Sequence, residues 1–116
     1  MGIDCLIVSD AVVVRVRGPL DRSTSDALRH AAADALLRAD STVVINLAAV
    51  PRIDAAGLGV LAEIHGRATG VGRRLVLTDV RPRVRELLDA TELSAALQIG
   101  ASESEAVEDG DRCALS

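Results

Sequence analysis

Apolar residues recur every two residues in some segments of this chain and about every 3.6 residues in others, which predicts a series of strands and helices. Residues 3–8 and 11–17 are apolar runs separated by Ser9-Asp10, a spacing typical of a β-hairpin. The second run has two unlike sides, Val12, Val14 and Val16 against Val13, Arg15 and Arg17. Two antiparallel strands are therefore expected at the start of the chain.

Three helical patterns follow, each next to an apolar strand. The first helix is predicted from Asp21 or Ser23 to about Ala39. Its expected apolar face consists of Ala27, Leu28, Ala31, Ala35 and Leu36. A strand at 42–47 leads to a helix at about 55–69, with a stripe of Leu58, Leu61, Ile64 and Ala68.

The last third of the chain repeats this arrangement. A strand is predicted at 74–78, and Pro82 is suited to the first turn of the helix after it. The inward residues of that helix are expected to be Val84, Leu87 and Leu88. A short helical turn near 92–96 and a strand at 97–99 complete the ordered part.

This order of elements predicts an α/β fold with one mixed sheet of four to five strands. The first hairpin is antiparallel, and the later strands are joined by parallel crossovers. Because the strands alternate, the helices are expected mainly on one face of the sheet. Residues 1–100 form the predicted domain, and 101–116 form an acidic tail of a short helical turn that then frays. Removing the tail is expected to cost little stability.

The segment from Val43 to Leu61 carries the most specific signal. A buried strand ends near Leu47, Pro51 interrupts regular structure, and Asp54 is a candidate N-cap for the next helix. Gly57 and Gly59 each cost about 1 kcal/mol of helix propensity relative to alanine. They permit either tight packing of helix on strand or the close approach of a partner, and the sequence leaves both interpretations open.

Composition excludes several classes of function. The chain has no aromatic residue, which argues against base stacking on single-stranded nucleic acid. Residues 1–100 hold 12 Arg and 12 acidic residues, whereas 101–116 hold one Arg and five acids, so the net charge of −4 lies in the tail. This is not the footprint of a nucleic-acid binder. Without a membrane-spanning run or a signal peptide, a cytoplasmic protein is expected, with Cys5 and Cys113 as free thiols.

Candidates for catalysis are few. His30 and His65 are isolated on different predicted helices, and Asp21 and Asp54 both suit helix caps better than a carboxylate pair. Ser23, Thr24 and Ser25 are interpreted as helix-start hydroxyls rather than a phosphorylation site. No enzyme activity, metal site or cofactor is predicted.

Three segments in order resemble the STAS domain, of the bacterial anti-anti-sigma factor type. They are residues 16–21 with Thr24, residues 44–47 through 53–58, and residues 74–77 with 82–88. The resemblance covers roughly residues 5–100 and implies a STAS-like sheet. It also implies a partner, an anti-sigma factor of the kinase type, whose binding frees a sigma factor.

The resemblance places a docking region around the starts of the first two helices. Its expected residues are Asp21, Ser23, Thr24, Asp54, Ala55, Ala56, Gly57 and Leu58. In this family, phosphorylation of a hydroxyl residue just before the position of Gly57 ends binding. Here Ala55 and Ala56 follow Asp54, so the usual off-switch at Ala56 is absent.

A second interpretation is a structural STAS subunit of a larger assembly, such as a lipid-transport ABC complex or a stress-sensing particle. The alanine pair favours this alternative, whereas the motif match favours the anti-sigma factor antagonist. Direct membrane insertion is not expected in either case. The sequence leaves homodimer formation open.

Overall fold

The computed structural model describes residues 2–8, 10–91 and 97–100. Five strands, β1 (Gly2–Val8), β2 (Ala11–Arg17), β3 (Thr42–Ala49), β4 (Arg74–Thr78) and β5 (Gln98–Ile99), form one sheet in the order 1-2-3-4-5. β1 and β2 pair antiparallel, and every later pair is parallel. The predicted mixed sheet is confirmed. The helical turn expected at 92–96 and the tail at 101–116 lie outside the described residues.

Three helices fill the crossovers: α1 (Arg22–Arg38), α2 (Ala55–Gly70) and α3 (Pro82–Asp89). Their buried apolar side chains all belong to a single cluster, which also includes Val12, Val14 and Val16 from β2. The helices therefore lie on one face of the sheet, as the strand alternation predicts. Among the described residues, no helix has the length and apolar character needed to span a membrane.

Two details of the helical faces differ from the sequence-based expectation. On α1, Ala27 is exposed and Ala32 is buried, because the inward stripe runs through Leu28, Ala32, Ala35 and Leu36. α1 packs on both α2 and β2, and these neighbours select which side of an alanine-rich helix faces inward. On α3, Val84 and Leu88 are buried whereas Leu87 is 40% exposed. A helix of two turns buries a narrow i, i+4 stripe here rather than three residues.

The opposite side of the sheet carries a separate small apolar cluster. Its buried members are Ala11, Val13, Val44 and Val76. Leu6 and Val8 of β1 pack against them. In the sheet register Leu6, Val13, Val44 and Val76 are successive partners on β1 to β4, so they form one row across the sheet.

Candidate functional site

The start of α1 is closed by a capping box. The carboxylate of Asp21 accepts hydrogen bonds from the Ser23 amide (3.0 Å) and the Ser23 hydroxyl (2.6 Å). In return, the Thr24 hydroxyl oxygen accepts from the Asp21 amide at 2.9 Å. The hydroxyls of Thr24 and Ser25 donate to the carbonyls of Pro19 and Asp21. The three hydroxyls thus satisfy backbone and cap groups, which confirms their interpretation as helix-start residues.

The hydrogen bonds to Asp21 also affect its ionisation. Donation by the Ser23 hydroxyl, followed by the backbone amides of Ser23 and Thr24, lowers the pKa of the Asp21 carboxyl below its usual value. These donors stabilise the ionised form, because a carboxylate accepts hydrogen bonds better than a neutral acid. At neutral pH the start of α1 therefore presents a negative charge whose position is fixed by its donors.

The start of α2 has the same type of cap without any hydroxyl behind it. Asp54 accepts a hydrogen bond from the Gly57 amide at 3.0 Å, which confirms it as the N-cap. The first turn then carries Ala55, which is exposed, and Ala56, which is half-buried. No Ser, Thr or Tyr occurs from Arg52 to Gly66. A phosphoester cannot form anywhere in this first half of the helix.

The two helix starts are held side by side by the segments that precede them. The Leu20 amide donates to the Arg52 carbonyl at 3.0 Å, and the Asp54 amide donates to the Leu20 carbonyl at 3.2 Å. These bonds form a parallel bridge between Leu20 and Ile53. A depression of about 270 Å³ lies between the starts, lined by Leu20, Asp21, Arg52, Ile53 and Asp54. The structure thus brings together two caps that are 33 residues apart in sequence.

The two glycines of the first turns of α2 have different roles. A Cβ on Gly57 would lie 2.5 Å from the Leu20 carbonyl oxygen and 2.7 Å from Cγ1 of Ile53. Gly57 is therefore required for the close approach of the helix to the Leu20 segment. A Cβ on Gly59 would meet nothing within 4 Å. Of the two interpretations left open by the sequence, tight packing applies to Gly57, whereas no packing among the described residues requires Gly59.

The predicted docking residues therefore occupy two layers. Asp21, Ser23, Asp54, Ala55, Ala56 and Leu58 are exposed or half-exposed at the two helix starts, and we call this group the cap surface. Thr24 and Gly57 are buried directly behind it. The sequence analysis missed Arg52, which is exposed and lines the depression. The available signal was the position of Arg52 in the loop after a parallel strand, two residues before the capping Asp54.

The chemistry available at the cap surface is that of recognition. Within the described ranges, no group of three or more His, Cys, Asp or Glu residues is arranged to hold a metal ion. His30 lies exposed on α1 and His65 half-buried on α2, both outside the cap surface. The surface instead offers two carboxylates and a small apolar helix start, and Arg52 adds a guanidinium beside them. Charged groups around a small apolar centre match the polar rim and apolar core of protein interfaces.

Comparison with known proteins agrees with this description. The family model of the STAS domain matches residues 3–106. An anti-sigma F factor antagonist of Paenibacillus polymyxa is 32% identical over 89 residues, which are 76% of each protein.

The solved structures extend the similarity to the fold. A Thermotoga maritima protein described as an anti-sigma factor antagonist superposes with a TM-score of 0.86 at 24% identity, over 95% of both chains. The phosphorylated form of SpoIIAA, a Bacillus cell fate determinant, gives a TM-score of 0.71 at 23% identity, over 93% of this chain and 98% of that one. With the family model covering residues 3–106, the chain belongs to the STAS domain family.

Proposed function

We propose that this protein is an anti-sigma factor antagonist that binds an anti-sigma factor of the kinase type through the cap surface. The similarity to the Paenibacillus polymyxa anti-sigma F factor antagonist supports the class of partner. The observation that carries the location is the exposed, hydroxyl-free start of α2 beside the ionised cap of α1.

The first step of the argument concerns accessibility. Ala55, Asp54 and Arg52 are exposed, and none of them contributes to the buried apolar cluster. Small side chains at a helix start allow the backbone of a partner to come close, and the Gly59 position extends this open area by one turn. Residues that pack nothing inside the chain are available to pack against another molecule.

The second step concerns regulation. With alanine at 55 and 56, a kinase partner has no acceptor hydroxyl at the start of α2. The hydroxyls that do occur nearby, on α1, are engaged in the capping box. We therefore propose that binding at this surface is not switched off by phosphorylation and is controlled by the amounts of the two proteins.

An added carboxylate at the start of α2 tests the location. In Ala55→Asp and Ala56→Asp the charge meets free amides and the positive end of the helix dipole, so folding should be unchanged or gain a few tenths of a kcal/mol. At the centre of an interface the same charge should weaken binding by about 2 kcal/mol, roughly thirtyfold in Kd. Titration calorimetry against the purified anti-sigma factors of the source organism measures this.

The matched control is Leu37→Asp. Leu37 is 87% exposed near the end of α1, about 22 Å along the helix from its start, and the substitution adds the same charge. Its binding should stay within twofold of the parent protein. Equal weakening by all three variants would show a general charge effect, and parent-like binding by Ala55→Asp and Ala56→Asp would remove the cap surface from the proposal.

Mass spectrometry after incubation with the kinase and ATP tests the regulation. The parent protein should remain unphosphorylated, whereas Ala55→Ser or Ala56→Ser should accept phosphate if the kinase still recognises the helix start. Ala56, which directly precedes Gly57, is the position at which the family carries its phosphorylated hydroxyl, so Ala56→Ser should react faster than Ala55→Ser. Phosphate found on Ser23, Thr24 or Ser25 of the parent would mean that the switch has moved to α1.

The second candidate function is that of a structural STAS subunit in a larger assembly, and the alanine pair is the observation that favours it. An affinity purification with the parent chain and with Ala55→Asp as bait separates the two. A kinase-type anti-sigma factor lost from the variant supports the antagonist, whereas an ABC ATPase retained by both supports the subunit.

A further inference from the structure

Four exposed arginines lie around the cap surface, and we call them the arginine rim: Arg22, Arg52, Arg81 and Arg83. Arg22 is the first residue of α1, and Arg52 lines the depression between the starts of α1 and α2. Arg81 is the N-cap of α3, and Arg83 lies in the first turn of that helix. The arginine rim therefore follows the edge of the sheet at which all three helices begin.

Backbone and side-chain hydrogen bonds hold these helix starts together. The Arg52 carbonyl accepts from the Leu20 amide at 3.0 Å, which places Arg52 beside the segment that leads into Arg22. Nε of Arg81 donates to the Ala48 carbonyl at 2.7 Å, so the start of α3 is tied to the end of β3. The arginine rim thus surrounds one continuous surface.

The positions of the rim arginines are unfavourable for the helices that carry them. The N-terminus of a helix has a partial positive charge, so carboxylates are stabilising in the first turn and cations in the last. Arg22 and Arg83 lie in the first turns of α1 and α3, where neither helix has an acidic residue. Arg38 and Arg67 lie in the last turns of α1 and α2, where a cation is favourable. Helix stability therefore explains the arginines at the far ends and not those of the rim.

The charges of the rim are largely uncompensated inside the chain. Within the described ranges, no ion pair or hydrogen bond involves the guanidinium groups of three members, Arg22, Arg52 and Arg83. The carboxylates of Asp21 and Asp54 are engaged as helix caps. Asp79, the third carboxylate at this edge, forms no ion pair with the rim in the described part of the chain. The free guanidinium groups are available to an anionic partner.

We propose that the face of the anti-sigma factor that meets the cap surface is acidic, and that Arg22 and Arg52 form ion pairs with its carboxylates. This inference rests on the proposed function and specifies the chemistry of the partner's side. A guanidinium can donate two parallel hydrogen bonds to one carboxylate, which adds geometric specificity to the charge attraction. Arg22 and Arg52 are the main contacts because they border the depression between the first two helix starts.

The composition of this surface favours an acidic protein over a nucleic acid. The chain has no aromatic residue on which bases could stack. The capping carboxylates of Asp21 and Asp54 also lie inside the rim, where they would repel a continuous phosphate backbone. Separate carboxylates on a protein face can pair with the arginines and avoid the two aspartates.

Association kinetics with the purified anti-sigma factor test the acidic face. The double variant Arg22→Gln and Arg52→Gln removes two charges and should slow association about tenfold at low salt, because complementary charges act mainly on the encounter rate. Its association rate should also depend less on salt than that of the parent protein. The matched control is Arg67→Gln, which removes the same charge from an exposed position about 18 Å along α2 from its start. That control should associate within twofold of the parent rate.

Thermal unfolding separates a binding role from a structural one. Arg22→Gln relieves an unfavourable charge at the start of α1, so Tm should rise by about 2 °C. Arg67→Gln removes a favourable charge at the end of α2, so Tm should fall slightly. Slower association together with a higher Tm supports the proposal, because a structural role would lower both. A Tm lowered by Arg22→Gln would overturn the argument from the helix dipole.

The outcomes distinguish this proposal from the proposed function. Parent-like association by the double variant, with binding still weakened by Ala55→Asp, would overturn the acidic partner face and leave the cap surface in place. Absence of binding by the parent protein to every kinase-type anti-sigma factor would overturn both. Equal slowing by Arg67→Gln would show a general charge effect and overturn the proposal. Fluorescence anisotropy with labelled single-stranded DNA is the remaining check, since binding by the parent that the double variant loses would assign the rim to nucleic acid instead.

Discussion

The starts of α1 and α2 lie side by side and have the same type of N-cap, but different residues follow it. Both begin with an aspartate whose carboxylate accepts a hydrogen bond from the first turn. At α1 three hydroxyl residues follow, and all of their hydroxyls are engaged locally. At α2 two alanines follow, of which Ala55 is exposed and Ala56 is half-exposed. The comparison indicates that α1 fixes the geometry of the cap surface, whereas α2 presents the part left open to a partner.

Adding one methyl group to Gly57 should break the pairing of the two starts. In Gly57→Ala the new Cβ would overlap the Leu20 carbonyl oxygen, so α2 must move away from the segment before α1. We expect a loss of about 2 to 3 kcal/mol in the free energy of unfolding, despite the better helix propensity of alanine. Urea unfolding followed by circular dichroism measures it, since the chain has no Trp or Tyr. Unchanged stability would show that the close approach is relaxed in solution.

Removing each cap compares their contributions directly. Asp54→Ala should destabilise the fold by about 1 kcal/mol, the usual cost of losing a helix cap, and Asp21→Ala should destabilise it more. The difference is expected because the Asp21 carboxylate accepts from both the amide and the hydroxyl of Ser23, whereas the Asp54 carboxylate accepts from the Gly57 amide. The same unfolding measurement checks both variants. A larger effect at Asp54 would reverse the assignment of α1 as the element that fixes the geometry.

Substitution of Gly59 tests whether the partner contacts the part of α2 that is open to it. Gly59→Ala should raise stability by about 0.5 to 1 kcal/mol, because a Cβ there meets nothing and alanine favours the helix. Gly66→Ala is the matched control, also on α2, exposed and without contacts. Both variants should be stabilised, but only Gly59→Ala should weaken binding of the anti-sigma factor if the partner approaches this turn. Equal binding by both would limit the contact to residues before 59.

The smallest expected effect concerns the ionisation of Asp21. In Ser23→Ala the strongest donor to the carboxylate is lost, so the pKa of Asp21 should rise toward its usual value. Because the pKa of Asp21 is lowered in the folded state, its ionised carboxylate stabilises the fold at pH values above the usual aspartate pKa of about 4. This stabilisation is lost as the pH falls through the lowered pKa. Ser23→Ala should therefore reduce the destabilisation seen in acid.

Carbon-detected NMR titration of the Asp21 carboxyl follows this pKa directly. Ser25→Ala serves as the control, because the Ser25 hydroxyl donates to the backbone carbonyl of Asp21 rather than to its carboxylate. The pKa of Asp21 should change little in that variant. An equal rise in both variants would assign the shift to the whole helix start instead of the Ser23 hydroxyl.

The sequence by itself determined the features that depend on neighbours a few residues away. Asp21 and Asp54 were identified as caps because a cap and its donor are two or three residues apart. The hairpin and the three crossover helices followed from local spacing. The absence of a hydroxyl before Gly57 is likewise a property of the sequence alone.

Tertiary structure decided what depends on distant parts of the chain. Gly57 and Gly59 look alike in sequence, and only the position of Leu20, 37 residues before Gly57, makes one of them necessary. The burial of Ala32 instead of Ala27 depends on where α2 and β2 lie against α1. The burial of Val44 on the face away from the helices is of the same kind. Local patterns fix hydrogen bonds within a turn, whereas burial and close approach are set by surfaces that meet only in the folded chain.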